Sequence, residues 1–478
     1  MIDKKSFLKG LLSFSFGKWA QALVSFASTP IITMLVSPED FGKSAMFAVS
    51  YGLLQSVLLL GTDQSFVRFF YEREDEDNRR KLLYECVIPP LVVRMIFSIL
   101  LINFWKTVSY LLFGGYYLLP ILILSVILVS GIFENTSLLI LRMKKKGKLY
   151  SLVLTLDAVF IFSFTVFFAL ILTDKFMAII LGFSLSRIIR AFVLFLIERN
   201  TWLPPPHLKG LGFREALKYG LPFIPVFAIN WLFQSMDRIA LRSFSSFNEL
   251  GLYAVAYKVV SIINLVQIGF STFWIPVAYE HFKKHPEDKV FFTKVTQLIA
   301  AIMFFIAFSI ITFKDIIFLI VASPYRGAAL VSPFLVFIPT LFAISETTHL
   351  GINFMKKPYY HIIISLFSAL ANYIGNFLLV PILGARGAAI STGLSYIIFF
   401  HLRTMISIKL YPVEYKLSRI SFSIFILVGV AIVNTFTSKV PAAQAISLMG
   451  LLLVAFLYRK EIYYLVKSLR EIIAGLRV

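Results

Sequence analysis

The sequence predicts an all-α polytopic membrane protein of about 14 transmembrane helices, arranged as two parallel six-helix repeats followed by two C-terminal helices. Three observations predict it. First, 59% of the 478 residues are hydrophobic, 50 of them Phe, and only 15% are charged, with a mean hydropathy of +0.84. A soluble chain carries roughly 25% charged residues, and a folded surface must be covered with polar groups, so a cytosolic enzyme and a disordered chain are both excluded. Second, the apolar runs are far longer than a barrel strand, and in lipid only helices or closed barrels satisfy every backbone group. Third, 46 Lys and Arg against 25 Asp and Glu leave a net charge of +21, and these basic residues fall in alternate connections between the runs.

Taken in order, spans of about 20 residues are expected from Leu11, Phe41, Leu82, Tyr116, Leu149, Phe176, Phe213, Leu250, Val290, Gly327, Tyr359, Ala385, Arg419 and Val440. The first run reaches Val36 with only Lys18 as a charge. It is too long for a cleavable signal peptide and is expected to be retained. Lys4, Lys5 and Lys9 precede it; Arg79, Arg80 and Lys81 follow the second span; Lys144, Lys145 and Lys146 follow the fourth. The same alternation continues through Arg199 and Lys209, Lys283 and Lys284, Lys356 and Lys357, Lys409 and Lys416, to Arg459, Lys460, Arg470 and Arg477. The intervening connections hold about one basic residue each, such as Lys43, Lys175, Arg242 and Lys439. Because Lys and Arg bias loops to the cytoplasmic side, both termini are expected in the cytoplasm. Basic residues scattered over short connections form no continuous face for nucleic acid. Cys86 is the one cysteine, so no internal disulfide or thiolate metal cluster is expected.

The two halves echo each other. Gly42, in Ser37-Pro38-Glu39-Asp40-Phe41-Gly42, is matched 209 residues later by Gly251 in Phe247-Asn248-Glu249-Leu250-Gly251; Tyr71-Glu72 recurs 208 later at Tyr279-Glu280. Glu134-Asn135-Thr136 and Met143-Lys144-Lys145 recur 212 later as Glu346-Thr347-Thr348 and Met355-Lys356-Lys357. An even number of spans per copy makes the copies parallel, related by an axis along the membrane normal. The expected organisation is an N-terminal six-helix lobe over 1–200, a cytoplasmic linker over 201–212 stiffened by Pro204-Pro205-Pro206, a C-terminal six-helix lobe over 213–410, and two further helices with a basic tail over 411–478.

The sequence resembles the polysaccharide and O-antigen flippases of the multidrug/oligosaccharidyl-lipid/polysaccharide exporter superfamily. The resemblance is carried by Thr29-Pro30-Ile31-Ile32-Thr33 through Phe41-Gly42, by Arg68-Phe69-Phe70-Tyr71, by Asp237-Arg238 with Glu249-Leu250-Gly251-Leu252-Tyr253, and by Ala371-Asn372-Tyr373-Ile374-Gly375-Asn376 through Gly384-Ala385-Arg386-Gly387. None of these blocks is catalytic. The resemblance implies a bacterial or archaeal inner-membrane (cytoplasmic-membrane) carrier that moves an undecaprenyl diphosphate-linked oligosaccharide to the outer leaflet by alternating access, in cell-surface polysaccharide biosynthesis. Membrane lipids and a polysaccharide polymerase with its chain-length machinery are its implied partners. A peptidoglycan lipid II flippase and a cation-coupled drug exporter of the same superfamily stay open as alternatives.

Ionisable groups inside spans are candidates for function, because each is costly unless it faces a cavity or a partner. Lys18, Arg68, Arg94, Arg187, Arg190, Arg238 and Lys258 form the basic set, suited to replace the hydration of a diphosphate by charge-assisted hydrogen bonds. Lys18 and Lys258 are the leading substrate-facing pair. Asp63, Glu134, Asp157 and Glu346 form the acidic set, expected to exchange H⁺ or Na⁺ in an antiporter cycle, or else to pair with Arg94 or Lys18. Asn372/Asn376 and Asn230/Gln234 are expected to hydrogen-bond between helices; Trp105, Tyr116, Tyr117, Trp202 and Tyr411 to form interfacial belts; and Pro222, Pro225 and Pro333, among others, to bend spans. No phosphate-binding loop, metal-ligand spacing or catalytic residue is seen, and no loop is long enough to fold an enzyme domain, so no cofactor beyond a coupling ion is expected.

Overall fold

The apolar periodicity resolves, in a computed structural model that describes residues 4–204, 212–437, 440–465 and 467, into helices without a strand among the described residues. Pro205, Pro206, Lys209, Lys439, Arg470 and Arg477 lie outside them. The chain divides into two compact units, Met1–Gly251 and Leu252–Val478.

The first unit holds α1 (Lys4–Ala27), α2 (Thr29–Leu35), α3 (Pro38–Val57), α4 (Thr62–Phe69), α5 (Glu76–Asn103), α6 (Trp105–Phe113), α7 (Leu118–Met143), α8 (Gly147–Ile171), α9 (Lys175–Ile197), α10 (Phe213–Gly220) and α11 (Phe223–Phe244). α12 (Phe247–Val260) crosses the boundary. The second unit continues with α13 (Asn264–Lys284), α14 (Lys289–Thr312), α15 (Lys314–Ile317), α16 (Ala328–Leu335), α17 (Phe337–Thr348), α18 (Leu350–Phe354), α19 (Tyr359–Leu383), α20 (Ala385–Leu410), α21 (Leu417–Phe436) and α22 (Val440–Leu457).

Among the described residues ten helical segments are long and apolar enough to cross a membrane, and 13 if each bent pair is one span. These 13 coincide with the expected spans from the second onward. The first expected span falls on α1, a 24-residue helix that does not meet the same apolarity test, so the count of 14 is not reached.

Local chemistry sets the helix starts. Ser37 accepts a hydrogen bond from Asp40 N (3.2 Å) and Pro38 occupies the first turn of α3. Asp75 accepts from Asn78 N (2.7 Å) ahead of α5, and Asp288 from Phe291 N (3.2 Å) ahead of α14. Each cap satisfies an amide with no intrahelical partner, and the acidic first turns of α3 and α5 complement the helix dipole.

Bends have separate causes. α3 and α4 meet at 51° where Leu60 and Gly61 take left-handed conformations (φ +55° and +66°), and α10 meets α11 at 41° beside Pro222. The second span therefore bends at Gly61, with no proline. The span Phe247–Lys284 is interrupted by a 3₁₀ turn at Ser261–Ile263.

The same pairings recur inside each unit. In the first, α5 packs on α7, α7 on α9, and α8 on α9; in the second, α14 packs on α17, α17 on α20, and α19 on α20. Small residues bring the backbones together, as expected where lipid supplies no hydrophobic drive between helices: Gly182 of α9 lies on Thr165 of α8, and Gly375 of α19 on Ser391 of α20. The repeated motif that begins at Ser37 meets its own echo. A Cβ at Gly42 would lie 2.0 Å from the Phe247 carbonyl oxygen, and one at Gly251 1.8 Å from that of Pro38. Only glycine permits this approach.

The packing boundary differs from the expected 201–212 linker. α10 rests on α4 and α5, and α11 on α3, so the seventh span groups by contact with the first unit although the sequence echo assigns it to the second copy.

Candidate functional site: a buried charge network

The i, i+3 spacing of Arg187 and Arg190 puts both guanidinium groups on one face of α9, which packs against α7 and α8. α7 contributes Glu134 and α8 contributes Asp157. Arg187 Nη1 lies 2.9 Å from Glu134 Oε1, Arg190 Nη2 bonds that same oxygen, and Arg190 Nη1 lies 2.6 Å from Asp157 Oδ2. The Ser186 hydroxyl donates to the other Asp157 oxygen at 2.7 Å. Glu134 Oε2 is buried without a hydrogen-bond partner.

Arg94 of α5 closes the cluster. It is fully buried and donates to the carbonyls of Leu128 (2.8 Å) and Gln55 (3.3 Å); no ion pair involves it among the described residues. Its Nη1, the Tyr51 hydroxyl and Gln55 Oε1 crowd round Gly131, where an added Cβ would be 3.5, 2.9 and 3.0 Å from them. The Arg187 guanidinium lies over the rings of Phe183 (4.3 Å) and Tyr51 (4.9 Å). Three guanidinium groups thus face two carboxylates inside apolar helices, leaving one positive charge in excess. Arg187, with a side chain 22% exposed against 7% for Arg190, is the accessible edge of the network.

The second unit carries a smaller version. Glu346 of α17 is paired with Arg403 of α20 at 2.9 Å, and Arg403 also donates to the Ser345 hydroxyl oxygen at 2.7 Å. His349 Nδ1 stands 3.9 Å from Glu346, and an Asn353 bridge (3.2 and 2.9 Å) links His349 to His361. Here the charges balance.

The other sequence-selected residues lie elsewhere. Lys18 is exposed on α1, and Lys258 half-buried on α12, three residues before the 3₁₀ turn, where its carbonyl accepts from Ser261. Arg238 is half-buried on α11 and donates to the Gln234 carbonyl (3.3 Å). Arg68 is exposed and ion-paired with Glu72 one turn on, a surface pair contributing about 0–1 kcal/mol. Asp63 accepts from the Gln64 amide at 2.6 Å. The carboxylates Glu134, Asp157 and Glu346 meet α9 and α20 arginines, and neither Arg94 nor Lys18 is their ion-pair partner.

Asn376 donates to Asn372 (2.9 Å) and Asn372 to Thr392 of α20 (3.2 Å), an interhelical bond as expected. Asn230 and Gln234 are instead exposed. Trp202 and Tyr411, expected at the interface, are buried; the Trp202 indole donates to Ser137 (3.0 Å) and the Tyr411 hydroxyl to the Pro286 carbonyl (2.5 Å). Sequence reasoning missed Arg403, although it stands 213 residues after Arg190, one off the Glu134/Glu346 interval. It also missed Glu198 as the anchor at the end of α9, held by Lys144 (2.9 Å) and Lys146. Burial alone would raise the Glu198 pKa, but these two ammonium groups hold it below the usual carboxylate range.

A helical, multi-span chain built from recurring helix pairings around buried charges is a polytopic membrane protein. Its fold is similar to "Lipid II flippase MurJ" in an inward closed conformation (TM-score 0.68, 17% identity, 94% of this chain and 99% of that one). It is also similar to a MATE transporter from Vibrio cholerae (TM-score 0.60, 15% identity, 85% and 96%). The chain belongs to the polysaccharide biosynthesis protein family, whose model matches residues 7–282. A protein of the Haemophilus influenzae Lsg locus is 25% identical over 288 residues, covering 58% of this chain and 67% of that protein.

Proposed function

We propose that the protein carries an undecaprenyl diphosphate-linked oligosaccharide from the cytoplasmic to the outer leaflet of a bacterial or archaeal cytoplasmic membrane, by alternating access and with an ion gradient as the driving force, both termini lying in the cytoplasm. The observation that carries this reading is the unmatched positive charge of the α5–α9 network. A guanidinium surplus inside lipid-spanning helices calls for an anion, and a diphosphate that has shed its water is such an anion. Arg187, at the edge, is the residue assigned to meet it.

Glu134 supplies the coupling. One of its oxygens is shared by Arg187 and Arg190 while the other has no hydrogen-bond partner. An H⁺ or Na⁺ taken up at the free oxygen neutralises the carboxylate and releases Arg187 for the phosphate; its departure returns Arg187 to Glu134 and discharges the lipid. Lys18, Lys258, Arg68 and Arg238 are further contacts along the path, and Asp63 and Asp157 secondary ion sites, whereas Glu346, balanced by Arg403, is a structural pair.

The test is leaflet transfer of a fluorescent undecaprenyl diphosphate-linked oligosaccharide in liposomes, for the parent and for Arg187→Gln, Lys18→Ala and Lys258→Ala. The expected outcome is transfer by the parent and a loss of about tenfold or more in Arg187→Gln, the effect of a charge-assisted hydrogen bond. Transfer of lipid II or of a drug cation in its place by the parent would reject the substrate, and an undiminished rate in Arg187→Gln would reject the network as the binding site.

A further inference from the structure

Arg242 ends α11 under conditions unlike those of the network. Its Nη2 donates to the Tyr110 carbonyl (2.9 Å), its guanidinium lies 4.8 Å from the Phe247 ring centroid, its Nε is buried without a partner, and no ion pair involves it among the described residues. It stands in the walls of two hollows at once. One, of about 600 Å³, is lined almost entirely by apolar side chains of α3, α5, α6, α7 and α11, among them Val49, Leu53, Leu101, Leu124 and Trp231. The other, of about 280 Å³, is polar and bounded by Glu39, Ser245, Ser246, Phe247 and Asn248.

An apolar hollow and a polar cup joined by one guanidinium have the form of a lipid: hydrocarbon, phosphate, headgroup. Water in the larger hollow would find few hydrogen-bonding partners, whereas a hydrocarbon chain loses nothing by entering it. A volume within about 300–1,000 Å³ suits a ligand of drug size, one acyl chain and not a long polyprenyl chain with its glycan. Charge decides the headgroup. Arg242 offers a single cation, because the nearby Lys43 is already paired with Glu39 at 2.8 Å; that matches a singly charged phosphodiester better than a diphosphate. Glu39 holds Lys43 through Oε1, and its other oxygen, on a side chain 60% exposed, presents an acceptor across the cup together with the hydroxyls of Ser245 and Ser246. They suit an ammonium group that has N–H bonds to donate.

We propose that the protein binds a phosphoethanolamine-type phospholipid here, with one acyl chain in the apolar hollow, its phosphodiester on Arg242 and its ammonium facing Glu39. None of the charged side chains of the α5–α9 network lines either hollow, and the proposal stands independently of the transported substrate.

Native mass spectrometry of the full chain in detergent tests it, with phosphatidylethanolamine, phosphatidylcholine and phosphatidylglycerol of identical chains as probes. Phosphatidylethanolamine is expected to be retained at one copy per chain, more tightly than phosphatidylcholine, with retention falling about tenfold, the equivalent of one lost charge-assisted contact, in Arg242→Gln. Leu53→Trp, which fills the apolar hollow, should reduce retention similarly, and Ile382→Trp on an exposed helix face should not. Glu39→Gln should erase the preference over phosphatidylcholine and keep the binding. Equal retention by the parent and Arg242→Gln would overturn the site, and this arm stands even if Leu53→Trp fails to fold. No preference among the three headgroups would overturn the assignment of the ammonium. Stoichiometric displacement by a polyprenyl diphosphate would overturn it in favour of transported substrate.

Discussion

The two buried charge clusters occupy matching places in their units and have diverged in charge. In the first, Glu134 of α7 is gripped by Arg187 and Arg190 of α9, with Asp157 and Arg94 completing the set. In the second, Glu346 of α17 meets Arg403 of α20, with His349 3.9 Å away. The position matching Arg187 is phenylalanine whether the interval is 212 (Phe399) or 213 (Phe400); that matching Asp157 is Ala369 or Leu370, and that matching Arg94 is Ile306 or Ala307. What both copies keep is one Glu–Arg pair linking two helices, a neutral pin. What only the first copy has is the added arginines, and with them an uncompensated charge. On the proposed reading the difference separates a structural element from a chemical one: a balanced pair leaves no charge over for a ligand, whereas a surplus guanidinium does.

Breaking the balanced pin should have the largest effect. Arg403→Ala leaves Glu346 buried without a counter-ion, which costs about 3–5 kcal/mol, whereas replacing both members with apolar residues of similar volume is often neutral. Arg403→Ala is therefore expected to lower the thermal unfolding temperature strongly in detergent, and Arg403→Met with Glu346→Leu to restore it. Transport by the restored variant should approach that of the parent. The same exchange in the first unit, Arg190→Met with Glu134→Leu, should restore folding yet leave transport abolished. If transport survives there, the two clusters are equivalent after all.

Next in size, Glu134→Gln keeps the volume and removes the negative charge. Leaflet transfer driven by an imposed H⁺ or Na⁺ gradient should lose its dependence on that gradient in this variant, with the counterpart Glu346→Gln unchanged.

The Glu198 anchor ranks third. Its folded pKa is depressed, so it contributes stability that is complete above the unfolded value of about 4.3 and is lost as pH falls through the folded value. Thermal unfolding of the parent should drop on acidification below about pH 4.3, and Lys144→Met should remove part of that drop while lowering stability at neutral pH.

The smallest effect concerns a backbone feature shared by the units. Lys145 and Lys356 both adopt left-handed conformations (φ +55° and +54°) just beyond α7 and α18, with Lys146 N and Lys357 N closing back on Leu141 and Ile352. This is a helix-ending motif that favours glycine. Lys145→Gly and Lys356→Gly should each stabilise by about 1 kcal/mol, seen as a small rise in the unfolding temperature. A rise in one and a fall in the other would show that the two turns are not equivalent.

Much of the fold was legible because its signals are local. Hydropathy set the spans, and the echo at Glu134 and Glu346 pointed to the pair of helices that carries the matching carboxylates. The site was half legible. That Arg94, Arg187, Arg190, Glu134 and Asp157 were costly charges in need of partners followed from their place within apolar runs; that they serve one another did not. Trp202 and Tyr411 misled for the same reason, since an aromatic residue near a span end reads alike whether it faces headgroups or a neighbouring helix.

By itself, the sequence determined the membrane class, the order of the helices and the kind of chemistry inside them, because burying a backbone in lipid permits few alternatives and each charge within it stands out. Tertiary structure alone decided which charge meets which. Arg190 reaches back 33 residues to Asp157 and 56 to Glu134, and such pairings depend on how each helix is rotated and how closely Gly182 lets α9 approach α8. One residue of rotation turns a side chain by about 100°, enough to exchange a partner for lipid, and no local pattern records that angle.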